Sequence, residues 1–133
     1  MDKRTVNPWS WQDGLGYSQG VLVTNPTATL YAAGQGAVDA DGNPVCVGDM
    51  AGQVMQVMDN VEAVLAEAGM SLADVVRYDV HTTSLEDYFT HGAEQVVKRF
   101  AQAGNIPSGG IACQVVALAV PGMAVEISVT ACR

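Results

Sequence analysis

Charge is the first thing this sequence is short of. Aspartate, glutamate, lysine and arginine make up 15% of its 133 residues, against about 25% in an ordinary soluble domain. Basic residues are scarcer still: six, namely Lys3, Arg4, Arg77, Lys98, Arg99 and Arg133, oppose fourteen acidic ones and leave a net charge of −8. That balance repels phosphate backbones, and the six form no basic stripe, so nucleic acid is not an expected partner. Cysteine is limited to Cys46, Cys113 and Cys132. An odd, widely spaced set with no secretory signal before it indicates neither a disulfide framework nor a zinc site, and a reduced cytoplasmic setting is expected. Long apolar runs are missing as well, since Gln, Asp and Glu interrupt every candidate before the roughly twenty residues a membrane span needs.

Apolar residues, by contrast, reach 49%. One domain over residues 1–133 can bury about two thirds of its unfolded surface, but a monomer this poor in charge lacks polar groups to cover the rest. A hidden interface between copies is therefore expected.

The chain reads as organised around residues 29–69. Thr29 to Gln35 suits a strand ending at Gly34, where a backbone can approach a ligand closely. Asp39 to Pro44, DADGNP, is a turn; it resembles the start of a calcium loop but lacks the glycine and glutamate positions of an EF-hand. After Asp49 the residues Val54, Val57, Met58, Val61, Val64, Leu65 and Ala68 recur at helical spacing up to Gly69. Met50, Met55 and Met58 are read as core filler.

Residues 1–19, including Trp9 and Trp11, have too little periodicity for an element. Gly20 to Thr24 is expected to form a hairpin with Thr29 to Gln35. Ser71 and Asp74 frame a short connection before a strand from Arg77 to Thr83. A second helix starts at a Ser84 cap, carries Tyr88, Phe89, Val96, Val97 and Phe100, and stops at Gly104. Two closing strands, Ile111 to Ala119 and Ala124 to Ala131, flank Pro121-Gly122. In the last one Val125, Ile127, Val129 and Ala131 share one face, with Glu126, Ser128 and Thr130 on the other.

The predicted order is β-β-α-β-α-β-β, an α+β fold with a mixed sheet and both helices on one face. The other sheet face needs a cover, and a second subunit is the simplest one. Two histidines, His81 and His91, have no acid or thiol at ligand spacing, so no metal is expected and no cofactor motif is present. Either ring could line a cleft as a base or hydrogen-bond donor. Glu126 is the sole carboxylate of the closing strands, and an acid at the edge of an apolar cleft suits proton transfer.

Several strings carry a resemblance across nearly the whole chain: GYSQGV around Tyr17, AAGQ at Ala32 to Gln35, MDNVEAVLAEAGM from Met58, LADVV from Leu72, and VEISV from Val125. They resemble the RidA/YjgF family. That resemblance implies a chorismate-mutase-like homotrimer with ligand clefts between subunits, and in one branch the hydrolysis of enamines and imines such as 2-aminoacrylate, with release of ammonia. It implies catalytic roles for Glu126, which handles water, and Tyr17, which lines the cleft. It places Ala33, Gly110, Ala112 and Cys113 in the substrate-binding lining, to which the reading of the residues themselves adds Gly34 and His91.

One departure stands out. Where the deaminating branch holds its substrate carboxylate with an arginine, this chain has Gly110, and no arginine lies between residues 100 and 132. A glycine cannot supply a bidentate guanidinium grip. The expected function is hydrolysis or tautomerisation of an enamine or imine other than simple 2-aminoacrylate, the alternative being a non-catalytic trimer that binds a small molecule or a protein. An arginine introduced at 110 is expected to restore the grip.

Overall fold

The computed structural model describes residues 1–133. Eleven elements follow one another: β1 (Asp2–Val6), β2 (Gly20–Thr24), β3 (Thr29–Tyr31), β4 (Gln35–Gly36), α1 (Met50–Glu67), a 3₁₀ turn (Leu72–Asp74), β5 (Val75–Thr82), α2 (Leu85–His91), α3 (Ala93–Gln102), β6 (Ser108–Gln114) and β7 (Val125–Cys132). This is an α+β fold with a mixed sheet, as the order of patterns indicates.

The main sheet runs β3-β7-β5-β6, with β4 also on β7. β5 pairs with β6 in parallel and with β7 antiparallel. The last two strands are therefore not a hairpin: β5 lies between them. The stretch predicted as strand to Ala119 leaves the sheet after Gln114. β2 does not join β3 either; it pairs with β1 as a separate two-stranded ribbon. The expected strand Thr29 to Gln35 is interrupted at Ala32–Gly34.

α1 forms where the apolar stripe runs, capped by the Asp49 carboxylate on the N–H of Gly52, and buries Val54, Val57, Met58, Val61 and Leu65. The second helix is broken in two at Gly92, whose backbone leaves helical geometry (φ −122°, ψ −40°) and whose missing side chain lets α1 come close, since a Cβ there would lie 2.6 Å from Val54 Cγ2. All three helices pack on one sheet face, against Val75, Val80, Val125, Ile127, Val129 and Ala131. A buried Asn105 closes the end of this layer by donating to the carbonyls of Leu72 and Val75 at 2.7 and 2.8 Å. The DADGN segment is a turn: the Asp39 carboxylate accepts from the N–H groups of Asp41 and Asn43, and the Asn43 bond above all holds its pKa below the usual range.

Candidate functional site on the uncovered sheet face

Alternation on β7 puts Val125, Ile127 and Val129 under the helices and leaves Glu126, Ser128 and Thr130 half-buried on the opposite face. Nothing in the chain covers that face. The register aligns Arg77 with Thr130, Asp79 with Ser128 and His81 with Glu126. On its other side His81 is in register with Cys113. The face thus gathers Arg77, Asp79, His81, Cys113 and Glu126 from three strands.

Glu126 reaches over the break between β3 and β4. A Cβ at Gly34 would collide with its Oε1, so the carboxylate rests on bare backbone. Gly34 and Glu126 are thereby in contact, with the exposed Ala33 next to them. The carboxylate has no ion-pair partner within the chain.

Gly110 lies where β6 slips register against β5 between Tyr78 and Val80. Asp79 fills this bulge: its Oδ1 accepts from the N–H of Ile111 at 2.7 Å, while Arg77 donates to both carboxylate oxygens at 2.9 and 3.1 Å. The Arg77 hydrogen bond is the main reason the Asp79 carboxyl titrates below its ordinary range. A Cβ at Gly110 would run into Asp79 Oδ1 and lie 2.7 Å from Arg77 Nε. Room for an arginine side chain at 110 is therefore taken by an arginine from the neighbouring strand. The expectation that Gly110→Arg restores a grip does not hold in this geometry, because the Arg77–Asp79 pair would have to be displaced first.

The remaining expected residues lie elsewhere. Tyr17, Gly110 and Ala112 line a cavity of about 580 Å³ on the helix side of β6, with Tyr78 and Val80 from β5, Phe89 from α2 and Val97 from α3. Tyr17 covers Gly109, whose Cβ would come within 2.9 Å of the ring, and Gly16, at φ +81°, lets the loop pass over Val97. Burial raises the pKa values of the Tyr78 and Tyr88 phenols that line this cavity. Within one chain, Tyr17 and Glu126 thus belong to opposite faces of the sheet. His91 joins neither group: it is exposed at the end of α2, 2.7 Å from Asp87. Sequence reasoning missed the part played by Arg77 and Asp79, whose only local signal is their i, i+2 spacing on one strand.

A family model described as Endoribonuclease L-PSP matches residues 13–133. The chain belongs to this family, the RidA/YjgF group. Among curated relatives, a rat 2-iminobutanoate/2-iminopropanoate deaminase is 32% identical over 115 residues, covering 86% of this chain and 78% of the relative. A Pyrococcus abyssi RutC family protein is 38% identical over 72 residues, 54% of each chain, so the match spans about half the length of that relative. Among solved structures, the Rid family protein YyfB of Yersinia pestis, described as of unknown function, covers all of both chains at 31% identity and a TM-score of 0.85. Escherichia coli TdcF with bound serine covers 88% of this chain and 87% of its own at 27% identity and a TM-score of 0.69. β6 of this chain, Ser108–Gln114, holds no arginine. No helix is long and apolar enough to cross a membrane.

Proposed function

We propose that the uncovered sheet face is a small-molecule site at which Glu126 handles the protons of enamine or imine hydrolysis, in a homotrimer whose subunits cover one another's faces. The observation that carries this reading is the Glu126 carboxylate, half-buried over Gly34 and left without a partner in its own chain. Such a group is free to take a proton from water as the oxygen attacks the C=N carbon, and to return it as the C–N bond breaks and ammonia leaves. Two features of relatives support the choice: some are named 2-iminobutanoate/2-iminopropanoate deaminase, and TdcF was solved with bound serine. A neighbouring subunit would bring a second Tyr17 loop toward Glu126, since the loop within the chain lies on the far face. The net charge of −8 argues against a nucleic-acid substrate.

The Arg77 guanidinium is shared with Asp79, which weakens it as a holder of a small carboxylate. The preferred substrate is accordingly an imine other than 2-aminoacrylate. A second reading, a non-catalytic binder, is favoured by the apolar cavity behind Tyr17, ten of whose thirteen lining residues are hydrophobic.

Ammonia release separates the two. Imines of several side chains, generated in situ by a pyridoxal-phosphate enzyme, are offered with and without the protein. The expected result is acceleration for at least one substituted imine and a poor rate with 2-aminoacrylate. Glu126→Gln should lower that rate by roughly 10²-fold with little change in melting temperature. No acceleration with any imine would leave the binding reading in place.

A further inference from the structure

The register of β6, β5 and β7 places a thiol, an imidazole and a carboxylate in one line. His81 on β5 is opposite Cys113 on β6 and opposite Glu126 on β7, all on the uncovered face. Directly paired side chains in a sheet stand about 5 Å apart at Cβ. All three residues are half-buried. The other charged groups facing His81 are already engaged with each other: Asp79 accepts from Arg77 and from the backbone of Ile111. His81 and Glu126 have no ion-pair partner within the chain, and Cys113 is a free thiol. The three do not form a cluster that could hold a metal ion. A line of titratable groups with an imidazole in the middle is instead suited to passing protons along it.

We propose that Cys113, His81 and Glu126 form a proton-sharing row, in which the His81 ring is a second acid–base group of the site and takes the Cys113 thiol proton when Glu126 is ionised. This deepens the hydrolytic reading, because Glu126 belongs to both. In imine hydrolysis Glu126 takes a proton from water while its oxygen bonds to carbon, and protonated His81 gives one to the nitrogen. The proton on Glu126 then passes to His81, restoring both. A second round takes the proton of the new hydroxyl onto Glu126, delivers one to nitrogen, breaks the C–N bond and releases ammonia and the carbonyl compound. Water and imine supply every atom of the products, so no oxidant, reductant or co-reactant is needed.

Iodoacetamide alkylation at about neutral pH tests the row without requiring turnover, because only a thiol that can shed its proton reacts quickly. The full chain is labelled and each cysteine followed by peptide mass spectrometry. Cys46, exposed on a different loop, serves as the control for reagent, and buried Cys132 as the control for folding. Cys113 should react well ahead of Cys132 in the unmodified protein. His81→Gln and His81→Asn should each slow Cys113 about tenfold, Glu126→Gln should slow it severalfold, and Cys46 and Cys132 should not change. Equal Cys113 rates in all four proteins, or a Cys113 as slow as Cys132 from the start, would overturn the row. In ammonia release His81→Gln should lower kcat by roughly 10²-fold and leave KM within a few-fold. Slowed alkylation without turnover of any imine retains the row and sinks the deaminase reading; turnover with alkylation indifferent to His81 does the reverse.

Discussion

At the scale of single residues, Gly34 decides where the Glu126 carboxylate can be. Its missing side chain leaves the space that the Glu126 carboxylate occupies, and a new methyl would meet the Oε1, Cδ and Cγ atoms of that flexible side chain rather than backbone. Gly34→Ala should therefore cost little stability, with the melting temperature shifting by no more than a few degrees, while swinging the carboxylate off its place. Ammonia release by the variant is expected to fall at least tenfold; an unchanged rate would mean that Glu126 does not act from this position. The contact between Gly34 and Glu126 was approachable from sequence, since the glycine ends a strand pattern and the acid stands out on an otherwise uncharged face. The filling of Gly110's space by Arg77 and Asp79 was not. It depends on β5 lying between β6 and β7 and on a bulge one residue wide, and neither leaves a local trace.

Among the elements, the ones legible in sequence are those whose burial repeats along the chain. α1 has seven buried positions at helical steps, and β7 alternates without interruption from Val125 to Val129. β1 was invisible because all five of its residues are exposed, so it has no alternation to read. The break at Gly92 coincides with the close approach of α1, a non-local event. The β5–β6 bulge is also non-local, and the Asp79 carboxylate holds it through Ile111 and Arg77. Its pKa is lower in the folded chain than the ordinary unfolded value of about 3.9, so the stabilisation is present above that pH and is lost as pH falls through the folded value. Thermal melts should show Asp79→Asn below the unmodified protein by a few degrees at pH 7, with the gap closing below about pH 4. A gap of the same size at pH 7 and at about pH 3 would show that the charge of the carboxylate is not what secures the bulge.

At the scale of the whole molecule, the chain exposes more apolar surface than its few charges can offset. Val116 is fully exposed just past β6, Tyr31 is 80% exposed on β3 at the opposite edge of the sheet, and Val47 and Phe89 are more than half exposed. Add a sheet face with no cover, a free edge at β3 and a β6 edge paired only where Ser18 bridges Ser108, and the subunit has the surface of a part rather than of a finished protein. A cyclic arrangement uses each such surface once per subunit and leaves none over, whereas an open arrangement would polymerise. The expected state is a trimer, and light scattering coupled to size exclusion should give about three times the 13.9 kDa chain mass. Val116→Glu puts a carboxylate on the most exposed apolar residue and should dissociate the assembly at micromolar concentration, with circular dichroism of the subunit retained. If the proposed cleft is shared between subunits, ammonia release should disappear in step with the trimer as the variant is diluted. A trimeric Val116→Glu protein would place the contact elsewhere on the surface, and an active monomer would remove the shared cleft, leaving Glu126 to work on an open face.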